Sequence, residues 1–300
     1  MVRISDMIRA EFAKGDDKRD AGLKVPEDIK RYDNIMYGED AKWQLLDVYR
    51  PVDNDEKLPV IVSVHGGGWV YGDKERYQYY CMNLAQRGFA VVNFTYRLAP
   101  EYKFPAPLED TNFVFEWILQ NAENYGMDTD KICAVSDSAG AHILSLYLDM
   151  CVNSDYASNF NFNVPDGLHI RAVALNCGQY HMGEDELDEL TGKLMEEYLE
   201  NKGTEEELKL LCADDFVTAQ FPPAFIMTSE EDFLRGQAPL MYNKLKSKNV
   251  TCELHDYKST GETKLGHVFH LNIKSADAQK CNDEECAFFR SILEKGNDWR

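Results

Sequence analysis

From residue 41 onward the chain alternates apolar strand-like runs with helix-periodic segments, and no other feature restricts the fold as much. The run "WQLLDVYRP" (43–51) reads as a strand ended by Pro51, and "LPVIVSVHGGGW" (58–69) as an apolar strand opening into a glycine loop. "ERYQYYCMNLAQRG" (75–88) has helical character and stops at Gly88, after which "FAVVNFTYR" is a strand again. The rhythm continues with a helix in "LEDTNFVFEWILQNAENYG", the strand "KICAVS", the helix "AGAHILSLYLDMCV" and the strand "IRAVALNCG". Apolar strands separated by helices predict an α/β fold, a mostly parallel sheet flanked by helices.

Residues 180–216 break the rhythm. They are rich in Glu and Asp ("GEDELDEL", "GTEEELKLL") at helical apolar spacing, which predicts a helical insertion. The sheet pattern resumes with the strand "PPAFIMTS", the helix "APLMYNKLKSKN", the strand "VTCELHDY" and a closing amphipathic helix, 275–295. A short helix is expected at "ISDMIRAEF" (4–12). Three hundred residues without repeats or a low-complexity linker fit a single domain over 1–300, with 1–35 and 180–216 as cap segments.

A net charge of −20 would repel DNA, RNA and anionic membrane surfaces, so neither nucleic acid nor membrane is an expected partner. No apolar run reaches the ~18 residues of a membrane span, and the first twenty residues show no signal-peptide core. Eight scattered cysteines lack a C-x-x-C pair or zinc spacing. Several of them lie in apolar runs, as small buried hydrophobes do. The expectation is a reduced, cytoplasmic chain with no metal and no cofactor; the oligomeric state stays open. The acidic insertion lacks a calcium-loop pattern and reads as a solvated lid.

Chemistry concentrates at "KICAVSDSAGAH" (131–142). A serine hydroxyl needs a base, a fixed orientation and a place for the developing oxyanion. A turn from strand to helix exposes Ser138 at the carboxyl end of the sheet and aims the Ala139 N–H at negative charge. The second element is "VSVHGGGWVYGD" (62–73), whose consecutive glycines let backbone N–H groups approach a substrate. A phosphate loop fits poorly there, because no G-K-[ST] follows.

Three motifs, "HGGGW" at 65–69, "YRLAPEYKFPAPLED" at 96–110 and "SDSAGAH" at 136–142, occur in the order and spacing of the hormone-sensitive-lipase-like carboxylesterases. The chain resembles that family of the α/β-hydrolase fold from about residue 35 to the C-terminus. The resemblance implies Ser138 as nucleophile, Gly66, Gly67 and Ala139 as oxyanion donors, and His65 as the residue orienting their loop. It also implies structural roles for Glu109 and Asp110. Ser136 and Ala141 stand where the family often has glycine, and extra bulk beside the turn costs about 1–3 kcal/mol when no room exists.

In this fold the triad runs serine, acid, histidine along the chain. The late strand "PPAFIMTS" is followed by Glu230, Glu231 and Asp232; "DFL" matches the family's acid, which favours Asp232, with Glu230 as competitor. After the last strand come His267 and His270, and His267 precedes the pattern's phenylalanine. His267 is the expected base and His270 a packing residue. His142 is expected under the turn, and His181 either lines the acyl pocket or has no chemical role. Trp69, Tyr71 and Tyr180 are expected substrate-binding wall residues by position alone.

The family implies a small-molecule ester substrate with a short acyl chain, acetylated or feruloylated carbohydrates included, cleaved through an acyl-enzyme. A small-peptide peptidase, a non-catalytic ligand-binding protein and a scaffold using the acidic helices are the alternatives.

Overall fold

The computed structural model describes residues 3–183 and 187–295. Residues 184–186 of the expected cap, residues 1–2 and residues 296–300 lie outside the described part. In chain order the strands are β1 (Ile29–Met36), β2 (Leu45–Pro51), β3 (Leu58–Val64) and β4 (Ala90–Phe94), then β5 (Met127–Asp137), β6 (Ile170–Asn176), β7 (Ala224–Ser229) and β8 (Cys252–Tyr257). The helices are α1 (Ile4–Asp20), α2 (Lys74–Ala85), α3 (Ala106–Tyr125), α4 (Ser138–Val152) and α5 (Ser154–Ala157). They continue with α6 (Glu189–Tyr198), α7 (Glu205–Leu210), α8 (Ala213–Phe216), α9 (Gln237–Ser247) and α10 (Ala276–Glu294). None of the described helices is long and apolar enough to cross a membrane.

The strands form one sheet in the order β1-β2-β4-β3-β5-β6-β7-β8, antiparallel at β1/β2 and β2/β4 and parallel elsewhere. Val62 at the centre of β3 lies level with Val92 on one side and Ala134 on the other. From β3 the chain passes to β4 on one side and then back across to β5 on the other. That reversal opens a crevice at the carboxyl ends of β3 and β5, where open α/β sheets bind ligands. The "HGGGW" loop and Ser138 both emerge there.

Two features of the N-terminal 35 residues differ from the sequence reading. Residues 29–36 form an edge strand of the sheet and so do not belong to a cap. The strand was hidden because "IKRYDNIM" buries only Ile29 fully and has a register break between Tyr32 and Ile35, which scrambles the period of two. The first helix also runs eight residues past Phe12, to Asp20, through polar sequence. Tertiary contacts hold that extension: Arg19 donates to the Arg76 carbonyl at 2.7 Å, and Tyr71 Oη donates to Asp16 at 2.7 Å.

Helix α4 runs against the end of β3. A Cβ at Gly140 would lie 2.2 Å from the Val64 carbonyl oxygen and 2.3 Å from that of His65, both backbone atoms. Glycine is therefore required for this approach. Gly140→Ala is expected to lower stability by about 1–3 kcal/mol, the usual cost of overpacking, measurable by thermal or urea denaturation.

On the opposite face, α10 is fastened by a buried carboxyl. Glu285 accepts from Asn176 Nδ2 at 2.7 Å and from Tyr80 Oη at 3.2 Å. Burial pushes its pKa up to about 7, although both hydrogen bonds pull the other way. Between its ordinary 4.5 and about 7, the group is protonated when folded and ionised when unfolded. Its contribution thus makes stability fall as pH rises through that window. Glu285→Gln should melt with the wild type near pH 5 and several degrees above it at pH 8. Calorimetry at the two pH values checks this.

Candidate active site

Ser138 is the first residue of α4, directly after β5, and has φ of +50°. A non-glycine residue in that region is strained by about 1–3 kcal/mol and persists only where its surroundings impose it. The turn lifts Oγ out of the sheet to 2.9 Å from His267 Nε2. On the far side of the ring, His267 Nδ1 lies 2.6 Å from Asp232 Oδ1. An ionised Asp232 only accepts, so Nδ1 carries the proton and Nε2 is free to accept from the serine.

The turn after β7 holds Asp232. Thr228 Oγ1 donates to its Oδ2 at 2.8 Å and the Leu234 N–H to its Oδ1 at 2.9 Å. Burial raises the pKa of Asp232, but the His267 pairing and these donors outweigh it and hold the carboxyl below its ordinary value. Glu230, the competitor from sequence, is turned elsewhere. It accepts from the N–H groups of Ser259 and Leu265, and so fixes the loop that carries His267. Ser229 Oγ donates to the Gly266 carbonyl in the same loop at 2.9 Å. His270 is fully buried in a 3-10 turn with its ring against the edge of Tyr80.

The glycine loop departs from expectation at one donor. The Gly66 N–H donates to Tyr77 Oη at 2.9 Å, and Tyr77 in turn donates to Asp137 Oδ2 at 2.8 Å. The Gly66 N–H is thus already engaged. Among the described residues the N–H groups of Gly67, Gly68 and Ala139 have no hydrogen-bond partner, so this is the available set. Gly67 has φ of +121°, and a Cβ there would meet the Tyr71 carbonyl oxygen at 2.1 Å, so no other residue fits. His65 orients the loop through Nδ1, 2.8 Å from the Gly66 carbonyl, and stacks on Tyr96 at 4.0 Å. Burial lowers its pKa to about 4, which keeps it neutral. Asp137 is pushed up to about 7, by burial first.

Ser136 costs the turn little, because its Oγ donates to the Ala174 carbonyl on β6 at 3.3 Å. Ala141 is buried within α4. Glu109 and Asp110 pair with Arg97, the latter also accepting from the Arg97 N–H at 2.7 Å.

The three expected wall residues make other contacts. Trp69 Nε1 donates to His142 Nδ1 at 3.1 Å, and its ring stacks on Tyr198 of α6 at 5.5 Å. His142 in turn reaches the Leu211 carbonyl at 2.8 Å. Tyr71 joins α1 through Asp16 and an edge contact with Phe12. Tyr180 is fully buried, its hydroxyl turned to the Leu175 carbonyl. Trp69 and Tyr71 therefore tie the glycine loop to α6 and α1, and Tyr180 is buried with its hydroxyl on the Leu175 carbonyl. His181 pairs with Asp214 at 2.9 Å.

Phe233 was not singled out from sequence, yet it is 71% exposed with its ring 4.1 Å from that of His267. Cys177, directly after β6, sits in an apolar run where a cysteine reads as a buried hydrophobe. Its sulfur, an Asp232 oxygen and a His267 nitrogen all lie within 4.8 Å of one another. His181, Cys212 and Asp215 form a second such group. The first draws its members from the ends of three strands, and the second joins the loop after β6 to the turn at α8, so neither follows from a sequence spacing.

The BD-FAE family model matches residues 46–245 of the chain. Versiconal hemiacetal acetate esterase of Dothistroma septosporum is 30% identical over 223 residues, 70% of this chain and 67% of that protein. Esterase LipQ of Mycobacterium tuberculosis is 28% identical over 222 residues, 69% of this chain and 51% of that one. The chain thus spans about two thirds of the first relative and half of the second. The crystal structure of esterase B from Lactobacillus rhamnosis superimposes with a TM-score of 0.86 at 23% identity, covering 97% of each chain. That likeness concerns the α/β-hydrolase fold.

Proposed function

Because this chain belongs to the BD-FAE family, among the α/β-hydrolases of the carboxylesterase and lipase type, we propose that it hydrolyses short-chain carboxylic esters through Ser138, His267 and Asp232. The observation that carries this reading is the unbroken hydrogen-bonded line from Ser138 Oγ through the imidazole to Asp232. His267 Nε2 takes the hydroxyl proton as Oγ attacks the acyl carbon. Asp232 holds the ring in the required tautomer and stabilises the imidazolium that forms. The N–H groups of Gly67, Gly68 and Ala139 receive the oxyanion, and removal of one such donor typically costs about 10²–10³ in rate. The imidazolium then protonates the leaving alcohol. Water, deprotonated by the same ring, releases the acid from the acyl-enzyme.

A short acyl group is supported by the cap. Leu194 Cδ1 stands 3.5 Å from where a Gly68 Cβ would be, so α6 closes down directly on the oxyanion loop. The acetate ester in the name of the Dothistroma relative points the same way. Acetylated carbohydrates fall within this class.

Hydrolysis of p-nitrophenyl acetate, butyrate and octanoate tests the reading. Turnover is expected to be highest on the two short esters and to fall on octanoate. Equal or rising turnover on octanoate would remove the short-chain assignment. Failure of a small fluorophosphonate to label Ser138 in folded protein would remove the nucleophile.

A further inference from the structure

We propose that Cys177, Asp232 and His267 form a binding site for a thiophilic divalent cation with a filled d shell, cadmium being the best match, and that such an ion switches the active site off. The proposal rests on the catalytic reading of His267 given above, and its test separates the two.

The donor set is specific. One thiol, one carboxylate and one imidazole nitrogen already lie within 4.8 Å of one another. Neighbouring ligands of a tetrahedral ion sit roughly 3.4–3.6 Å apart given metal–ligand bonds of about 2.0–2.3 Å. Side-chain shifts of about 1 Å would close the site, the sulfur moving in and the 2.6 Å Nδ1–Asp232 contact opening. Met227 Sδ, 3.8 Å from Cys177 Sγ, adds a thioether on the same side. Sulfur and imidazole together select soft cations over magnesium or calcium. Cys177 itself has φ of +47°, a strained conformation for a residue with a Cβ, of the kind that clusters at functional sites. The ion enters past His267, the one partly exposed member of the set.

Inhibition follows from proton placement. The thiol proton leaves to solvent as the sulfur binds, because a coordinated thiol is deprotonated outright. Thiolate and carboxylate then neutralise the two charges of the cation. Metal at Nδ1 displaces the proton from that nitrogen, and the neutral ring carries it on Nε2 instead. Nε2 can no longer accept from Ser138, so the nucleophile loses its base.

Cadmium is titrated into the full chain with a non-thiol reductant, in the wild type, Cys177→Ser and Cys212→Ala. Two readings are taken: thiolate-to-cadmium charge-transfer absorbance, and p-nitrophenyl acetate hydrolysis relative to each protein's own cadmium-free rate. Cys212→Ala removes the second cysteine cluster. Cys177→Ser keeps the size and hydrogen bonding of the side chain and should raise the inhibitory cadmium concentration by at least about tenfold, the lower end of what even outer-shell changes cost a metal site. Cys212→Ala should remain as sensitive as the wild type. Met227→Leu, with a smaller rise, serves if Cys177→Ser does not fold. Unchanged inhibition in both Cys177→Ser and Met227→Leu, or its loss in Cys212→Ala, overturns the proposal. If the wild type hydrolyses no ester, the proposed function falls while absorbance still decides the site: a band that Cys177→Ser abolishes in the Cys212→Ala background upholds it, and a band that persists there refutes it.

Discussion

Ser138→Ala is expected to lower kcat on p-nitrophenyl acetate by about 10⁶-fold, with the fold intact. The size follows from what the alanine removes. No other described hydroxyl is hydrogen-bonded to His267 Nε2, so the acyl-enzyme route disappears and only the oxyanion donors and the binding surface remain. A triad stripped of its nucleophile retains about 10³–10⁴ over water from those sources. Alanine and serine both carry a Cβ and bear the same left-handed strain, so the variant should melt close to the wild type. Stopped-flow and steady-state rates on matched samples measure the loss. A residual rate within tenfold of the wild type would mean that another group carries the reaction.

Asp232→Asn is expected to lower kcat by about 10⁴-fold, the cost of a wrong histidine tautomer in a triad. Asparagine is nearly the same size; with its amide nitrogen in the place of Oδ1, its carbonyl oxygen keeps the Thr228 donor while the Leu234 N–H loses its acceptor. Its amide N–H groups, turned to His267, would make Nδ1 the acceptor and place the proton on Nε2, facing Ser138. The base is disarmed although the side chain's bulk is kept. Glu230→Gln provides the contrast. Glu230 accepts from two backbone N–H groups and not from the histidine, so a neutral amide oxygen keeps that geometry and the rate should fall by less than about tenfold. Equal losses in the two variants would show that the acid assignment is wrong.

The sheet and the turn around Ser138 were legible because their signals are local. An apolar run such as 58–64 flanked by a glycine loop has few other readings, and the strand-turn-helix context of Ser138 is continuous in sequence. The choice of Asp232 over Glu230 also rested on residues a few positions apart. What escaped is set by contacts between distant segments. Gly66 looks like its neighbours in the string "HGGGW", and only Tyr77, eleven residues on in α2, consumes its N–H. The edge strand at 29–36 has a mixed burial pattern because one of its sides has no neighbouring strand and its register breaks. Cys177 and Phe233 gain meaning only where the ends of β6, β7 and β8 converge on the imidazole.

From the glycine loop Trp69 contacts α6 and Tyr71 contacts α1, two helices that also meet each other through the Ile4 N–H and Glu197. Arg9 adds a third link from α1, donating to the Val70 carbonyl between them at 2.7 Å. Helices α1 and α6 and the glycine loop are thus one mechanical part, and a laboratory that transplants either proposed cap segment from an esterase to change acyl preference would be redesigning the proposed oxyanion site at the same time. Chimaeras that carry the segment together with its partners at 69–71 should keep turnover, whereas those that exchange the segment alone should lose rate before they change selectivity.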